Sequence, residues 1–136
     1  MGDMTVRVVT PDKLIFEGIA ERVVVRGLDG DFAILRNHCP LISPLGVSEL
    51  KIVDDNQQNK YIAVDGGIVE VSGNQVQILS RDAILAEDID LATVQLQLNR
   101  SQREKENLKT RDEQERQERE IYKLLNQLNV GQRHEG

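Results

Sequence analysis

Up to Ala86 the apolar positions come in short runs broken by turn residues; beyond it they recur every three or four residues. Residues 5–10 (TVRVVT) form a β-branched run ended by Pro11-Asp12, and Leu14, Ile15 and Phe16 follow before Gly18. Residues 21–26 contain three consecutive valines, the pattern of a strand covered on both faces. Residues 48–53 alternate into a polar turn at 54–59, and residues 60–64 return from it. Asp65-Gly66-Gly67 reads as a turn, residues 68–71 as a strand, and Ser72-Gly73-Asn74 as a hairpin signal before the alternating residues 75–80. Short, evenly spaced strands with no helical pattern among them predict a compact β-sandwich.

From Glu87, Asp88 and Asp90, acidic residues that suit the positive end of a helix dipole, neither glycine nor proline occurs as far as Leu128. Leu91, Val94, Leu98, Ser101, Lys105 and Leu108 follow a helical seam that weakens as it proceeds, while Ile121, Leu124, Leu125 and Leu128 make an i, i+3, i+4, i+7 stripe. Leu108 is the single large apolar residue between Gln102 and Glu120. The expectation is two helices folded back on each other with the turn inside residues 107–113, a single rod being the alternative. Each buried leucine contributes roughly 1.5–3 kcal/mol, and exposed ion pairs contribute ~0–1 kcal/mol, so such a hairpin is weakly held. A mobile hairpin and a static polar one both fit. Residues 129–136 read as a disordered polar tail.

The stretch 27–45 (GLDGDFAILRNHCPLISPL) is more particular than a generic sandwich requires. Gly27 and Gly30 suit a tight turn carrying Asp29 and Asp31, and Pro40 and Pro44 brace the apolar patch Leu41, Ile42 and Leu45. An acidic loop beside an apolar loop suits docking; two ordinary hairpin turns suit the same residues.

Composition narrows the function. With 136 residues the chain holds one domain, or a small one with an appendage, and 39% apolar content is sufficient for a core despite the lack of tryptophan. A formal net charge of −6 argues against nucleic acid and against adhesion to anionic lipid. A lone cysteine excludes an internal disulfide framework. The N-terminal MGDMTV lacks a signal-peptide profile, and no apolar run approaches the ~20 residues that span a bilayer, so a soluble intracellular chain is expected. No catalytic constellation stands out. His38-Cys39 is the one His/Cys neighbourhood, the aspartates lack calcium-loop spacing, and no phosphate loop or metal-ligand set is present.

Read together, VVTPDKLIFEG, VVVRGLDGDFAIL, NHCPLISPL, YIAVDGGIVEV and AEDIDLA, in that order, resemble the epsilon subunit family of bacterial F-type ATP synthase, equivalent to mitochondrial delta. The resemblance implies a flattened N-terminal β-sandwich of about ten strands, residues 1–86, then a C-terminal antiparallel two-helix hairpin, residues 87–136. It implies a non-catalytic rotor subunit, peripheral on the cytoplasmic face of the bacterial plasma membrane and held there only through its complex. The sandwich would bind gamma and the c-ring; the helices would lie on it or extend into the alpha/beta hexamer and inhibit ATP hydrolysis. Carried over by position, Asp29, Gly30 and Asp31 would meet the c-ring, and His38, Leu41, Ile42 and Ser43 would face gamma. Arg103, Arg111, Arg116, Arg119 and Lys123 would meet the acidic region of beta, a solvated face with pairs such as Glu115–Arg119 being the alternative.

Two departures matter. Relatives commonly read GELGILPGH where this chain has GDFAILRNH, so Ala33, Arg36 and Asn37 alter the loop. Some members bind ATP through I-D-x-x-R-A; here Ile89-Asp90-Leu91-Ala92-Thr93-Val94 puts Thr93 at the phosphate-pairing arginine, and Lys123 and Gln127 replace further arginines. No cofactor, metal or useful ATP affinity is expected. The alternatives to an inhibitory rotor subunit are a purely structural coupling and assembly subunit and an unrelated adaptor.

Overall fold

The computed structural model describes residues 3–27 and 30–134. Its described residues form eight strands and two long helices: β1 (Met4–Val9), β2 (Leu14–Ala20), β3 (Arg22–Gly27), β4 (Gly30–Leu35), β5 (Leu41–Val53), β6 (Asn59–Ser72), β7 (Gln75–Ser80), β8 (Ala83–Leu85), α1 (Leu91–Glu106) and α2 (Arg111–Arg133). The pairing order is β2-β1-β7-β6-β5-β3-β4, with β8 added to β6, and β1 and β7 are parallel. The long strands β5 and β6 pair along their whole length and serve both layers. One layer is β2, β1, β7, the second half of β6 and the first half of β5. The other is β4, β3, the second half of β5, the first half of β6 and β8. Eight strands thus fill the places of the expected ten.

The corner between layers corrects one reading. Asp65-Gly66-Gly67 is not a turn between strands but a bend inside β6, lying across from Gly46 between the pairs Leu45–Gly67 and Val47–Asp65. Gly66 (φ 70°) and Gly67 (φ 132°) bend the strand without a side-chain penalty. A Cβ on Gly67 would run into the carbonyl oxygen of Leu79 on β7. Between the layers, Val6, Val8, Val76, Ile78, Val69 and Val71 face Val23, Val25, Ile34, Leu50, Ile52, Ile62 and Val64 in one buried cluster. This is the period-two side of each strand, as the alternation predicts.

The hairpin turn falls at residues 107–110, inside the expected interval. Asp90 caps α1 by accepting from the Thr93 N–H, and Thr110 caps α2 by accepting from the Glu113 N–H. Val94, Leu98 and Leu124 are the buried centre of the seam, with Ile89, Ile121, Leu125 and Leu128 around them. The helix continues past Asn129, where the sequence reads as a polar tail. Val130 and Gly131 are buried, and a Cβ on Gly131 would come within 2.8 Å of Leu91 Cδ2. Close approach of α2 to the start of α1 is what keeps those last residues helical.

Candidate functional site

The acidic turn sits at one end of the second layer. Gly27 on β3 pairs with Gly30 on β4, and Gly30 takes a φ of 124°, a conformation that favours glycine. Asp31 is exposed and lies in register with Arg26. Asp29 lies outside the described residues. Gly30, Asp31 and Phe32 line a cleft of about 460 Å³ together with Ser43, Pro44 and Gly46 of β5. The acidic turn and part of the proline-braced patch therefore share one groove.

Strand alternation divides the four residues expected to face gamma. Leu41 turns inward against the core, whereas Ile42, its neighbour, is 74% exposed on the outer face of the first layer. Ser43 is half-buried. His38 lies in the turn after β4, where its N–H donates to Leu35 O at 3.2 Å and its Nδ1 lies 2.7 Å from the Cys39 carbonyl oxygen. The preceding Asn37, at a φ of 62°, donates its N–H to Asn74 Oδ1 at 2.7 Å, which ties this turn to the β6–β7 hairpin.

Ile42, whose own cross-strand partner is Glu70, shares this outer face with an apolar row that passes through Pro44 and that the sequence reading missed. Val9, Leu79, Ile68 and Pro44 are successive register partners across β1, β7, β6 and β5. Leu79 is 42% and Ile68 46% exposed, so the row is an apolar strip on the face opposite the helices. The signal was present: Leu79 falls among Gln75 and Gln77 on the polar phase of its strand, where a leucine has no core to fill.

The basic residues of the hairpin also divide. Lys123 is spent within the fold, bridging Asp82 at 3.3 Å and Glu120 at 3.2 Å. Burial pulls its pKa down, but Glu120 and Asp82 outweigh that and leave it raised. Arg111 pairs with Glu115 at 3.4 Å, rather than the expected Glu115–Arg119 pair. Arg103, Arg116 and Arg119 are exposed. Arg116 and Arg119 line a cleft of about 570 Å³ between α2 and the sandwich corner, together with Arg81, Asp65 and Tyr122. Burial raises the pKa of Asp65 above its ordinary 3.8, against the pull of Arg81 and Lys123. Asp90 and Thr93 are engaged in capping α1, and the hydrogen bonds from Thr93 lower the Asp90 pKa.

Glu49 on β5 was not singled out by any sequence pattern. It is 2% exposed, covered by the last turn of α2, with His134 Nε2 at 2.5 Å from its Oε1. Asn126 of α2 donates nearby to Ser48 O at 2.9 Å, and the His134 ring stacks on Tyr61 at 3.4 Å. In the sequence Glu49 is an ordinary polar residue on an alternating strand; its cover comes from a helix end 85 residues away.

Among the described residues no group of His, Cys, Asp and Glu could hold a metal ion, and no helix is long and apolar enough to cross a membrane. Cys39 is exposed, with its Sγ 3.9 Å from His38 Nδ1.

Residues 3–86 match the family model of the ATP synthase delta/epsilon chain, β-sandwich domain. An ATP synthase epsilon chain of Brevibacillus brevis is 43% identical over 91 residues, which cover 67% of this chain and 69% of that one. A chain in the cryo-EM structure of the Euglena gracilis mitochondrial ATP synthase OSCP/F1/c-ring superposes with a TM-score of 0.75 at 17% identity, covering 97% of this chain and 82% of that chain. One in the Tetrahymena thermophila mitochondrial ATP synthase central stalk and c-ring gives 0.62 at 18% identity, over 96% and 97%. At those identities the two structures speak to the fold alone.

Proposed function

The chain belongs to the delta/epsilon family of ATP synthase subunits, and we propose that it couples c-ring rotation to the catalytic head through gamma while its helices restrain ATP hydrolysis. In this reading it is a stalk subunit with no catalytic residues of its own. Residues 1–86 are the rotor-docking domain and residues 87–136 the regulatory one. The turn at Gly30 and Asp31, with Asp29, meets the polar loops of the c-ring. Ile42, with Ile68 and Leu79 on the same outer face, meets gamma, and His38, Leu41 and Ser43 shape the edge of that surface. Arg103, Arg111, Arg116 and Arg119 meet the acidic region of beta when the hairpin extends toward the alpha/beta hexamer. Membrane association then comes only through the complex, at the cytoplasmic face.

The observation that carries the switch is how little apolar surface holds the hairpin. Three seam side chains and Val130 are buried, and α2 meets the sandwich through polar contacts: Lys123 to Asp82, Asn126 to Ser48 O, and His134 to Glu49. Two arrangements separated by a few kcal/mol are what a releasable hairpin needs. The second reading, a purely structural coupling subunit, is favoured by the stacking of His134 on Tyr61, which gives the hairpin a defined seat.

The test is ATP hydrolysis by a catalytic head freed of this subunit, with the full chain or a version ending at Ala86 added back. Suppression by the full chain alone supports an inhibitory hairpin. Binding of both without suppression leaves the structural reading.

A further inference from the structure

A carboxylate buried at a sheet–helix junction is costly unless cations and hydrogen bonds compensate it. Glu49 meets two arginines and a histidine from two directions. Arg26 Nη1, on neighbouring β3, lies 3.7 Å from Oε2. Arg133 Nη2 and His134 Nε2, both from the end of α2, lie 3.8 Å and 2.5 Å from Oε1. Only the histidine donates a hydrogen bond, and Oε2 is buried with no hydrogen-bond partner. The sandwich alone supplies Arg26; everything else that compensates the charge arrives with the hairpin.

We propose that Glu49 is a latch: a sandwich carboxylate that receives His134 and Arg133 and so fixes the C-terminal end of α2 in its docked position. When α2 lifts, Glu49 regains water and keeps Arg26, so the charge is tolerated in both positions. In the docked position the orphaned Oε2 leaves the carboxylate incompletely satisfied. The latch therefore selects a position for the helix end without making it permanent. The role in release rests on the proposed movement of the hairpin; the latch itself is a property of the isolated chain.

The experiment is amide hydrogen exchange of the full chain, parent against His134→Phe, and His134→Phe combined with Glu49→Gln. Phenylalanine keeps a ring to stack on Tyr61 but donates nothing to Glu49, so the carboxylate is left buried with its hydrogen bond gone. Amides of residues 121–134 are expected to exchange at least about tenfold faster in His134→Phe, with β1 and β7 unchanged. Adding Glu49→Gln removes the carboxylate left unpaired and is expected to recover part of the protection while staying below the parent, because the pair itself is absent. Unchanged exchange in His134→Phe, or parent-level protection in the double variant, overturns the latch. A hairpin that loosens as stated, in a chain that fails to suppress hydrolysis, supports the latch and counts against the inhibitory reading instead.

Discussion

Leu124→Ala tests whether the hairpin and the sandwich are separate cooperative units. Leu124 is 2% exposed and packs with Val94 and Leu98, while Ile121, Leu125 and Leu128 at the margin are only partly buried. Removing a buried leucine side chain costs about 2–5 kcal/mol, transfer and cavity together. The open margin lets this seam collapse around the gap, which places the cost near the lower end, about 2–3 kcal/mol. At about 1.4 kcal/mol per factor of ten, the population with the hairpin open rises roughly 30- to 150-fold. Hydrogen exchange read by mass spectrometry resolves where that effect falls. Peptides from α1 and α2 should exchange faster by that factor, while peptides from β1, β6 and β7 keep the parent rate. Acceleration of helices and strands together would show one cooperative unit and refute a hairpin held independently of the core. No acceleration anywhere would refute the seam as its main apolar support.

Gly67→Ala should destabilise the sandwich by on the order of 3 kcal/mol or more, because it forces a side chain into a φ of 132° and against the Leu79 carbonyl. Urea unfolding of the full chain measures it, and a shift below about 1 kcal/mol would contradict the close approach at the corner. Ile68→Glu changes a side chain that is 46% exposed, so Tm should hold while affinity for gamma falls at least about tenfold; unchanged affinity removes the apolar strip from the interface. Asp65→Asn has a pH signature. Burial raises the Asp65 pKa, so the folded chain holds that proton more tightly than the unfolded chain and loses stability as pH rises from about 4 through the raised value. The Tm of Asp65→Asn should therefore gain on the parent across that window and then level off, and a constant difference would refute the assignment.

Much of the architecture is legible in the residues. The β-branched run at residues 5–10 and the alternation in 48–53 and 75–80 mark strands whose inner faces became the core, and the lack of glycine and proline from Glu87 to Leu128 marks the helices. Asp65-Gly66-Gly67 was misread because glycines that bend a strand and glycines that end one look alike locally. Only the pairing of both halves of β6 with β5 distinguishes them. The docking residues were legible as a stretch but not as a surface. Strand alternation turns Leu41 into the core and Ile42 outward, and the apolar residues that share that face, Ile68 and Leu79, come from β6 and β7 in the register row of Pro44.

Hydrophobic period and breakers thus marked the strand region, the change to helix after Ala86 and the base of the hairpin, because those signals act over a few residues of chain, whereas the apolar loop read at residues 41–45 is the start of β5. Tertiary structure alone decided which strands serve two layers, which cations are consumed within the fold, and that Glu49 is buried. Each of those depends on segments distant in sequence meeting in space, and the charge of Glu49 acquires its meaning only when His134 arrives beside it.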